Sequence, residues 1–316
     1  MDLAALPLLR MSDDPQSFAD AIGESFRAFG FAIVRDHGID AQLIERAWQL
    51  TARFFALPEA EKRRYHIEGI AGARGYTPFG TEIAKGAKDH DLKEFWHVGR
   101  DLPPGKDGSA HPLGASMPPN VWPERPAGFR ETFGRLFAEF DRVGATILSR
   151  IAVHLGLGAD WFEPAIADGN SVLRLLHYPP VTAAEGGAIR AGAHEDINLI
   201  TLLLGAEEAG LELLTKDGRW VGVAPPEGAL VINIGDMLQR LTNNELPSTT
   251  HRVRNPSGER AGFSRYSMPF FLHLRSDFRF RTLPQCISAA SPDRYPVDIT
   301  ADDYLQERLR EIGLKA

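Results

Sequence analysis

The sequence predicts a mainly β fold with helices packed against its outside. Three observations lead to this prediction. Helical periodicity fills the first half of the 316 residues, short apolar runs separated by turn residues fill the second half, and no linker divides the two. Several short strands at close spacing are typical of a sandwich, barrel or jelly roll rather than of alternating β–α units. We therefore expect one structural unit with a β core.

Three longer helices are predicted from the spacing of apolar residues in the first half. Asp14 and Pro15 suit the start of the first helix, and Gly30 suits its end. A second helix is expected over residues 41–55, and a third from near Glu124. The third carries an apolar stripe at spacings of three and four, which is one face of a helix. Its members are Phe129, Phe133, Leu136, Phe140, Val143, Ile147 and Ile151.

Six apolar runs of the second half predict strands, because each is short and bounded by turn residues. In chain order they are SVLRLLHY, NLITLLL, LELL, RWVGVAP, ALVINIG and FSRYSMPFFLHL. Changes in the pattern of apolar and turn residues along the chain divide the expected unit into four regions. They are an N-terminal region of helices and a first strand (1–120), the long helix (121–167), the β core (168–276) and a C-terminal extension (277–316).

Composition and charge argue against several classes of protein. The formal net charge is −7 and the pI is near 5.8, whereas a nucleic-acid-binding chain needs a basic face. A single cysteine allows no intrachain disulfide or thiolate metal site and suits a reducing compartment. No apolar run is long enough to span a bilayer, and the N-terminus lacks the basic start of a signal peptide. We therefore expect a cytoplasmic monomer or small homo-oligomer without nucleic-acid or membrane partners.

One triplet of candidate metal ligands is distinctive among the ten histidines. His194 and Asp196 are two positions apart, so on an extended strand their side chains point to the same side. His251 lies just before another strand run and can supply a third ligand. Two histidines and one carboxylate on one face of a metal leave positions open, as in non-haem Fe(II) oxygenases. His66 and Glu68 have similar spacing, but they follow a helical segment and carry little weight.

A second polar pair follows on a predicted strand. Arg265 and Ser267 share one face because side chains on a strand alternate. A guanidinium can bind a carboxylate through two hydrogen bonds, and the serine hydroxyl adds another donor. A dicarboxylate held there could reach the metal with its other end. Taken alone, an exterior arginine is the commoner interpretation, because arginine is mostly exposed.

Six further segments occur in order along nearly the whole chain. They are FGFAIVRDHGI (29–39), RGYTPFG (74–80), DLKEFWHVG (91–99), LLHYPP (175–180), GDMLQRLTNNELPSTTHRV (235–253) and RYSMPFF (265–271). Together with the triplet, they resemble the 2-oxoglutarate/Fe(II)-dependent dioxygenases of the isopenicillin N synthase-like family. The resemblance implies a double-stranded β-helix, or jelly-roll, core with the N-terminal helices packed outside.

The resemblance also implies roles for individual residues. The histidine–aspartate–histidine triplet matches the family's iron ligands. Arg265 and Ser267 match the pair that binds the distal carboxylate of 2-oxoglutarate, and Tyr178 matches a tyrosine of that pocket. Many plant relatives have an asparagine two residues before this tyrosine, where this chain has Leu176. The cosubstrate pose implied by those relatives therefore does not transfer in every detail.

The activity implied is oxidative decarboxylation of 2-oxoglutarate to succinate and CO₂, coupled to hydroxylation or desaturation of a small-molecule substrate. Fe(II), 2-oxoglutarate, O₂ and ascorbate as reductant are implied as cofactors and co-substrates. The iron centre carries the chemistry, and no separate acid–base residue is expected. Substrate contacts are expected at Glu94, Trp96 and Phe271. Asp236, which follows a predicted strand, could orient the metal site through a hydrogen bond to a ligand, or could equally be a plain turn residue.

Two alternative functions stay open from the sequence. The first is an Fe(II) oxidase of the same family that does not use 2-oxoglutarate, because the arginine–serine pair could bind a carboxylate of the substrate itself. The second is a non-catalytic ligand-binding homologue, which the intact set of five polar residues disfavours. A zinc hydrolase gives no reason for that pair.

Overall fold

Two mostly antiparallel β-sheets, one large and one small, form the centre of the fold, and helices cover one face of the large sheet. The computed structural model describes residues 6–70, 72–81, 90–103, 113, 117–180, 190–205, 210–255 and 262–311. The strands in these ranges are β1 (Leu8–Arg10), β2 (Phe31–Arg35), β3 (Gly75–Thr77), β4 (Glu94–Gly99), β5 (Val172–Tyr178), β6 (Ala191–His194), β7 (Ile200–Leu204), β8 (Leu211–Leu214), β9 (Trp220–Gly222), β10 (Leu230–Ile234), β11 (His251–Val253) and β12 (Arg265–Leu272). The helices are α1 (Pro15–Phe29), α2 (Ala41–Phe55), α3 (Glu59–Arg63), α4 (Phe129–His154), α5 (Glu163–Ile166), α6 (Asp236–Leu241) and α7 (Ala301–Glu311). The predicted mainly β fold with flanking helices is confirmed.

The large sheet joins strands from distant parts of the chain. Its order is β1-β2-β10-β7-β12-β5-β4-β3, in which β1 runs parallel to β2 and the other neighbours are antiparallel. The small sheet has the order β6-β11-β8-β9. Because strands from the N-terminal region pair with strands of the second half, both contribute to one sheet and one hydrophobic core.

The first helix begins and ends where its sequence signals predict. The Asp14 side chain accepts a hydrogen bond from the Ser17 backbone N–H at 3.0 Å and so caps the start of α1. Gly30 ends the helix with a φ of 70° and donates its N–H to the Phe26 carbonyl at 2.7 Å. A Cβ at this position would lie 2.2 Å from Thr249 Oγ1. Glycine is therefore required both for the backbone conformation and for the close approach.

The long helix starts later than its apolar spacing suggests. The expected start near Glu124 is wrong, because α4 begins at Phe129. Pro126 has no backbone N–H to donate, and Gly128 precedes the helix in the left-handed conformation, with a φ of 83°. The predicted apolar stripe is buried along its whole length. In the described part of the chain, no helix combines the length and the apolar character needed to cross a bilayer.

Alternation along the strands gives the large sheet a helix-facing side and a second side that faces the small sheet. Phe270 of β12 stacks on Phe140 of α4 with ring centroids 5.4 Å apart, so even-numbered residues of β12 face the helices. Odd-numbered residues, including Arg265 and Ser267, point the other way. We call this second side the inner face. It carries the functional site.

Candidate metal centre

Three candidate ligands meet where the small sheet faces the large one. His194 ends β6 and lies directly opposite His251, which begins β11. Asp196 follows β6, and its Oδ1 lies 3.8 Å from His194 Nε2 and 3.9 Å from His251 Nε2. One ligand atom from each residue lies within 4.8 Å of the others. Such spacing suits one ion, because nitrogen and oxygen ligands lie about 2.0–2.2 Å from a metal.

Both imidazoles are oriented by backbone carbonyls. His194 Nδ1 lies 2.7 Å from the Gly192 carbonyl oxygen, and His251 Nδ1 lies 3.1 Å from that of Thr249. Because a carbonyl can only accept, each Nδ1 carries the proton and each Nε2 keeps its lone pair for a metal. Desolvation and then the neighbouring His251 lower the pKa of His194, which favours the neutral ring that binds metals.

The carboxylate of Asp196 is oriented from the inner face of the large sheet. Its Oδ2 accepts hydrogen bonds from Thr201 Oγ1 at 2.5 Å and from Asn233 Nδ2 at 2.8 Å. These two donors are cross-strand partners on β7 and β10. Burial alone would raise the pKa of Asp196, but the two histidines and the two hydrogen bonds hold it below its usual value. The carboxylate therefore stays ionised, with Oδ1 directed towards the histidines.

The three ligands differ in their access to solvent. The His194 side chain is 40% exposed, whereas those of Asp196 and His251 are 7% and 10% exposed. The triplet is thus closed on two sides and open beside His194. A bound ion would keep positions accessible to small molecules.

A cationic pocket lies on the inner face between β5 and β12. Arg265 pairs with Tyr178, and Ser267 pairs with Leu176, so these four side chains share one face. Arg265 is only 4% exposed, and its Nε and Nη1 have no hydrogen-bond partner among the described residues. Its guanidinium carbon lies 5.1 Å from the centroid of the Tyr178 ring. The interpretation of Arg265 as an exterior residue is wrong, and a buried guanidinium of this kind needs an anion to offset its charge.

Comparison with known proteins identifies the family. Residues 1–125 match the N-terminal model of the non-haem dioxygenases in morphine synthesis, and residues 169–274 match the 2OG-Fe(II) oxygenase superfamily model. The 2-oxoglutarate-Fe(II) type oxidoreductase hxnY of Emericella nidulans is 32% identical over 295 residues, which cover 90% of this chain and 82% of that protein. The chain belongs to the 2-oxoglutarate/Fe(II)-dependent oxygenases. It is a member of their isopenicillin N synthase-like family.

Solved structures of 2-oxoglutarate/Fe(II) oxygenases share this fold. A 2OG-Fe(II) oxygenase family protein from Caulobacter crescentus is 52% identical, with a TM-score of 0.89 over 98% of this chain and 99% of that one. A full-length Neurospora crassa protein, solved in complex with alpha-KG, is 29% identical, with a TM-score of 0.84 over 98% and 97% of the two chains. The predicted jelly-roll core is confirmed.

The function at the level of the family follows from these findings. The oxygenase uses Fe(II) and 2-oxoglutarate and oxidises a small-molecule substrate, and the use of O₂ is implied by this chemistry. The predicted enzyme class is confirmed. The oxidase without 2-oxoglutarate and the non-catalytic homologue are not favoured.

Two of the three residues expected to contact substrate lie on the wrong side of the sheet. Trp96 is fully buried against Phe54 of α2, with ring centroids 4.9 Å apart. Glu94 is 3% exposed and accepts a hydrogen bond from Lys62 Nζ at 2.6 Å, on the same helix-facing side. Both positions alternate with Phe95, which lies on the inner face. The expectation that Glu94 and Trp96 contact substrate is therefore wrong, because strand alternation turns them towards the helices.

Phe271 lies on the inner face of the large sheet. It pairs with Thr201, the residue that donates to Asp196, and it shares the inner face with Arg265 and Ser267. Its expected substrate contact stays a prediction, and its position beside the carboxylate ligand is compatible with it.

The sequence interpretation missed the two residues that orient the carboxylate ligand. Thr201 and Asn233 are polar positions in strands that are otherwise apolar, in NLITLLL and ALVINIG. That contrast is a usable signal, because a buried polar side chain needs a hydrogen-bond partner. Asp236, for which the sequence suggests this role, acts differently. It donates its backbone N–H to the Asp196 carbonyl at 2.7 Å, while its carboxylate pairs with Arg308 at 3.0 Å.

Replacing Thr201 by valine is expected to weaken Fe(II) binding by about 10–100-fold, the usual effect of losing a hydrogen bond to a metal ligand. The substitution removes the hydroxyl that donates to Asp196 Oδ2 and keeps the branched shape. Anaerobic Fe(II) titration measures the affinity. Thr201→Ser, which keeps the donor, serves as the matched control. Equal affinities for the valine variant and the unaltered protein would contradict this role.

A buried histidine beside the site predicts how stability depends on pH. His273 is 9% exposed, and burial lowers its pKa to about 4 from 6.5. His273 therefore takes up a proton near pH 6.5 in the unfolded chain, but only near pH 4 in the folded chain. The stability of the metal-free protein should thus fall as the pH decreases through this window.

Urea unfolding at pH 7 and pH 5 tests the contribution of His273. Between these pH values the loss attributable to this residue is about 2 kcal/mol. The neutral variant His273→Asn should lack this part of the pH dependence. For each protein, the unfolding free energy at pH 5 is subtracted from that at pH 7, and the two differences are compared. The same difference in both proteins would refute the assignment.

Proposed function

We propose that His194, Asp196 and His251 bind Fe(II), and that Arg265 and Ser267 bind the distal carboxylate of 2-oxoglutarate. The observation that carries the proposal is the buried Arg265 guanidinium, whose Nε and Nη1 lack partners in the described part of the chain. An anion with several acceptor oxygens would satisfy these buried donors. The three-residue cluster supplies the donor set that suits iron.

The residues around the two sites hold the reactants in place and limit water. Bound Fe(II) supplies the activation of O₂ that couples decarboxylation of 2-oxoglutarate to oxidation of the substrate. Tyr178 covers one face of the Arg265 guanidinium at 5.1 Å. Leu176, opposite Ser267, adds an apolar wall where many plant relatives have asparagine. The distal carboxylate is therefore held from the β12 side, and position 176 contributes exclusion of water rather than a hydrogen bond.

The finer features of the activity are also proposals. We expect hydroxylation or desaturation as the outcome, and ascorbate as the reductant that keeps iron in the ferrous state. The acidic composition and the single cysteine support a cytoplasmic protein that does not bind nucleic acid. We expect it to be a monomer or a small homo-oligomer.

Formation of succinate tests the proposed function. Anaerobically purified protein receives Fe(II), ascorbate, 2-oxoglutarate and air-saturated buffer, and succinate is quantified with and without a panel of small metabolites. Iron-dependent succinate that increases with one class of metabolite is the expected result. Tight Fe(II) binding with no succinate under any condition would overturn the proposal.

A further inference from the structure

A second buried arginine lies on the large sheet, apart from the cosubstrate pocket. Arg74 precedes β3 and is 1% exposed. Its Nη1 donates to the Ala73 carbonyl at 2.7 Å, but its Nε and Nη2 have no hydrogen-bond partner among the residues that the structure describes. Burial lowers the pKa of Arg74 to about 10, and the negative charge of Asp101 partly offsets this decrease. The side chain is therefore a cation at neutral pH. Buried donors without acceptors are costly, and a ligand can supply the acceptors.

The guanidinium of Arg74 lies against the inner face of β4. A Cβ built on Gly99 would lie 1.9 Å from the Arg74 guanidinium carbon and 2.1 Å from its Nη2. Gly99 alternates with Val98, which is buried in the helix-facing core, so its missing side chain would point to the inner face. The absence of a side chain at position 99 is what leaves room for this cation.

Gly99 belongs to a row of paired residues that crosses four strands and ends beside the metal centre. Gly99 pairs with Val172, which pairs with Phe271, which pairs with Thr201. Thr201 in turn donates to Asp196. Three strand spacings separate the two ends of the row, about 14 Å along the sheet. A small molecule above the row can therefore contact Arg74 at one end and present a C–H bond to the metal at the other.

A second arginine, Arg174, lies on the same face of the sheet, on the neighbouring strand β5. Arg174 pairs with His97, which is two positions from Gly99 on the same face. Its Nε–H donates to His97 Nε2 at 2.6 Å, and His97 Nδ1 in turn lies 2.6 Å from the Gly72 carbonyl oxygen. The Arg174 guanidinium carbon also lies 4.3 Å from the centroid of the Phe95 ring. This cation is thus fixed in orientation at the same end of the row.

Arg74 is separate from the pocket of Arg265. Gly99, against which Arg74 lies, pairs with Val172, which is six positions along β5 from Tyr178, or about 20 Å. A five-carbon diacid held by Arg265 and a metal cannot also extend along the strand to Arg74. An anion at Arg74 is therefore a different molecule from 2-oxoglutarate.

We propose that Arg74, together with Arg174 on the neighbouring strand, binds a carboxylate group of the primary substrate, which makes that substrate a small organic acid. The proposal rests on the proposed function of the metal centre. Arg74 supplies two buried N–H donors, and the two cations together select an anion over a neutral molecule of the same shape. The oxidised carbon would lie at the opposite end of the acid from this carboxylate.

Calorimetric titration with a matched acid and amide tests the proposal. The protein is first saturated with Fe(II) and 2-oxoglutarate under argon, in a buffer without other carboxylates, and then titrated with benzoate or benzamide. Benzoate is expected to bind at least tenfold more tightly than benzamide, without displacing 2-oxoglutarate. Arg74→Met is expected to weaken benzoate binding at least tenfold. Gly99→Ala should weaken it as well, because the added methyl group displaces the guanidinium while its charge remains.

Arg130→Met is the matched control, because it removes one exposed positive charge on α4, which packs on the opposite, helix-facing side of the sheet. If Arg74→Met does not fold, Gly99→Ala and Arg174→Met decide the question. No benzoate binding, equal affinity in the folded variants and the unaltered protein, or displacement of 2-oxoglutarate would each overturn the proposal. Failure to bind Fe(II) and 2-oxoglutarate in the first step would instead overturn the proposed function, so the two failures are distinguishable.

Discussion

Replacing His194 by alanine is expected to abolish Fe(II) binding and reduce succinate formation to background while the fold is retained. His194 Nε2 is one of three atoms that converge on the proposed ion, and two ligands do not hold Fe(II) with the same geometry. The side chain is 40% exposed, so its removal leaves no cavity in the core. Anaerobic Fe(II) titration, succinate formation and thermal unfolding of the metal-free protein measure the three properties separately.

His66→Ala is the control that separates this role from a general loss of a histidine. His66 opens the other histidine-x-acid triplet, but its Nδ1 lies 3.0 Å from the Tyr76 carbonyl oxygen, away from the cluster. The variant should therefore bind Fe(II) as the unaltered protein does. Normal succinate formation by His194→Ala would refute the metal assignment.

Replacing Arg265 by alanine is expected to increase the concentration of 2-oxoglutarate needed for half-maximal turnover between about thirtyfold and several thousandfold. Truncating one partner of a buried charge pair typically costs about 2–5 kcal/mol, and about 1.4 kcal/mol corresponds to tenfold. The free energy of unfolding of the metal-free variant should be little changed, since two nitrogens of this guanidinium have no partner within the described structure. Succinate formation at varied 2-oxoglutarate measures the first effect, and urea unfolding measures the second.

Arg265→Lys distinguishes the shape of the guanidinium from its charge. The lysine keeps the positive charge but loses the fork that binds both oxygens of a carboxylate, so an intermediate effect is expected. Ser267 remains as a donor in both variants. An unchanged 2-oxoglutarate requirement in Arg265→Ala would contradict the proposed role of this pocket.

Local signals in the sequence are sufficient for most elements of the fold. Capping residues predict the ends of α1, and apolar spacing predicts both α1 and α2, because both signals act within one or two helical turns, where tertiary contacts change little. The start of α4 lies several residues after the predicted position, since apolar spacing alone does not mark where a helix begins. There, Pro126 and Gly128 are the better guides.

His251 joins His194 and Asp196 only through the pairing of β11 with β6. The sequence alone identifies the other two candidate ligands, because their spacing on an extended segment directs both side chains to one side. It also determined the pair on β12, through the same alternation. Alternation alone cannot tell one side of a strand from the other, so only the packing of the sheets and helices fixes which side faces the site. This packing turned Glu94 and Trp96 towards the helices. It also brought together residues that no local pattern connects, such as Arg74 and Gly99, because their contact depends on the pairing of β3 with β4 and on a missing side chain.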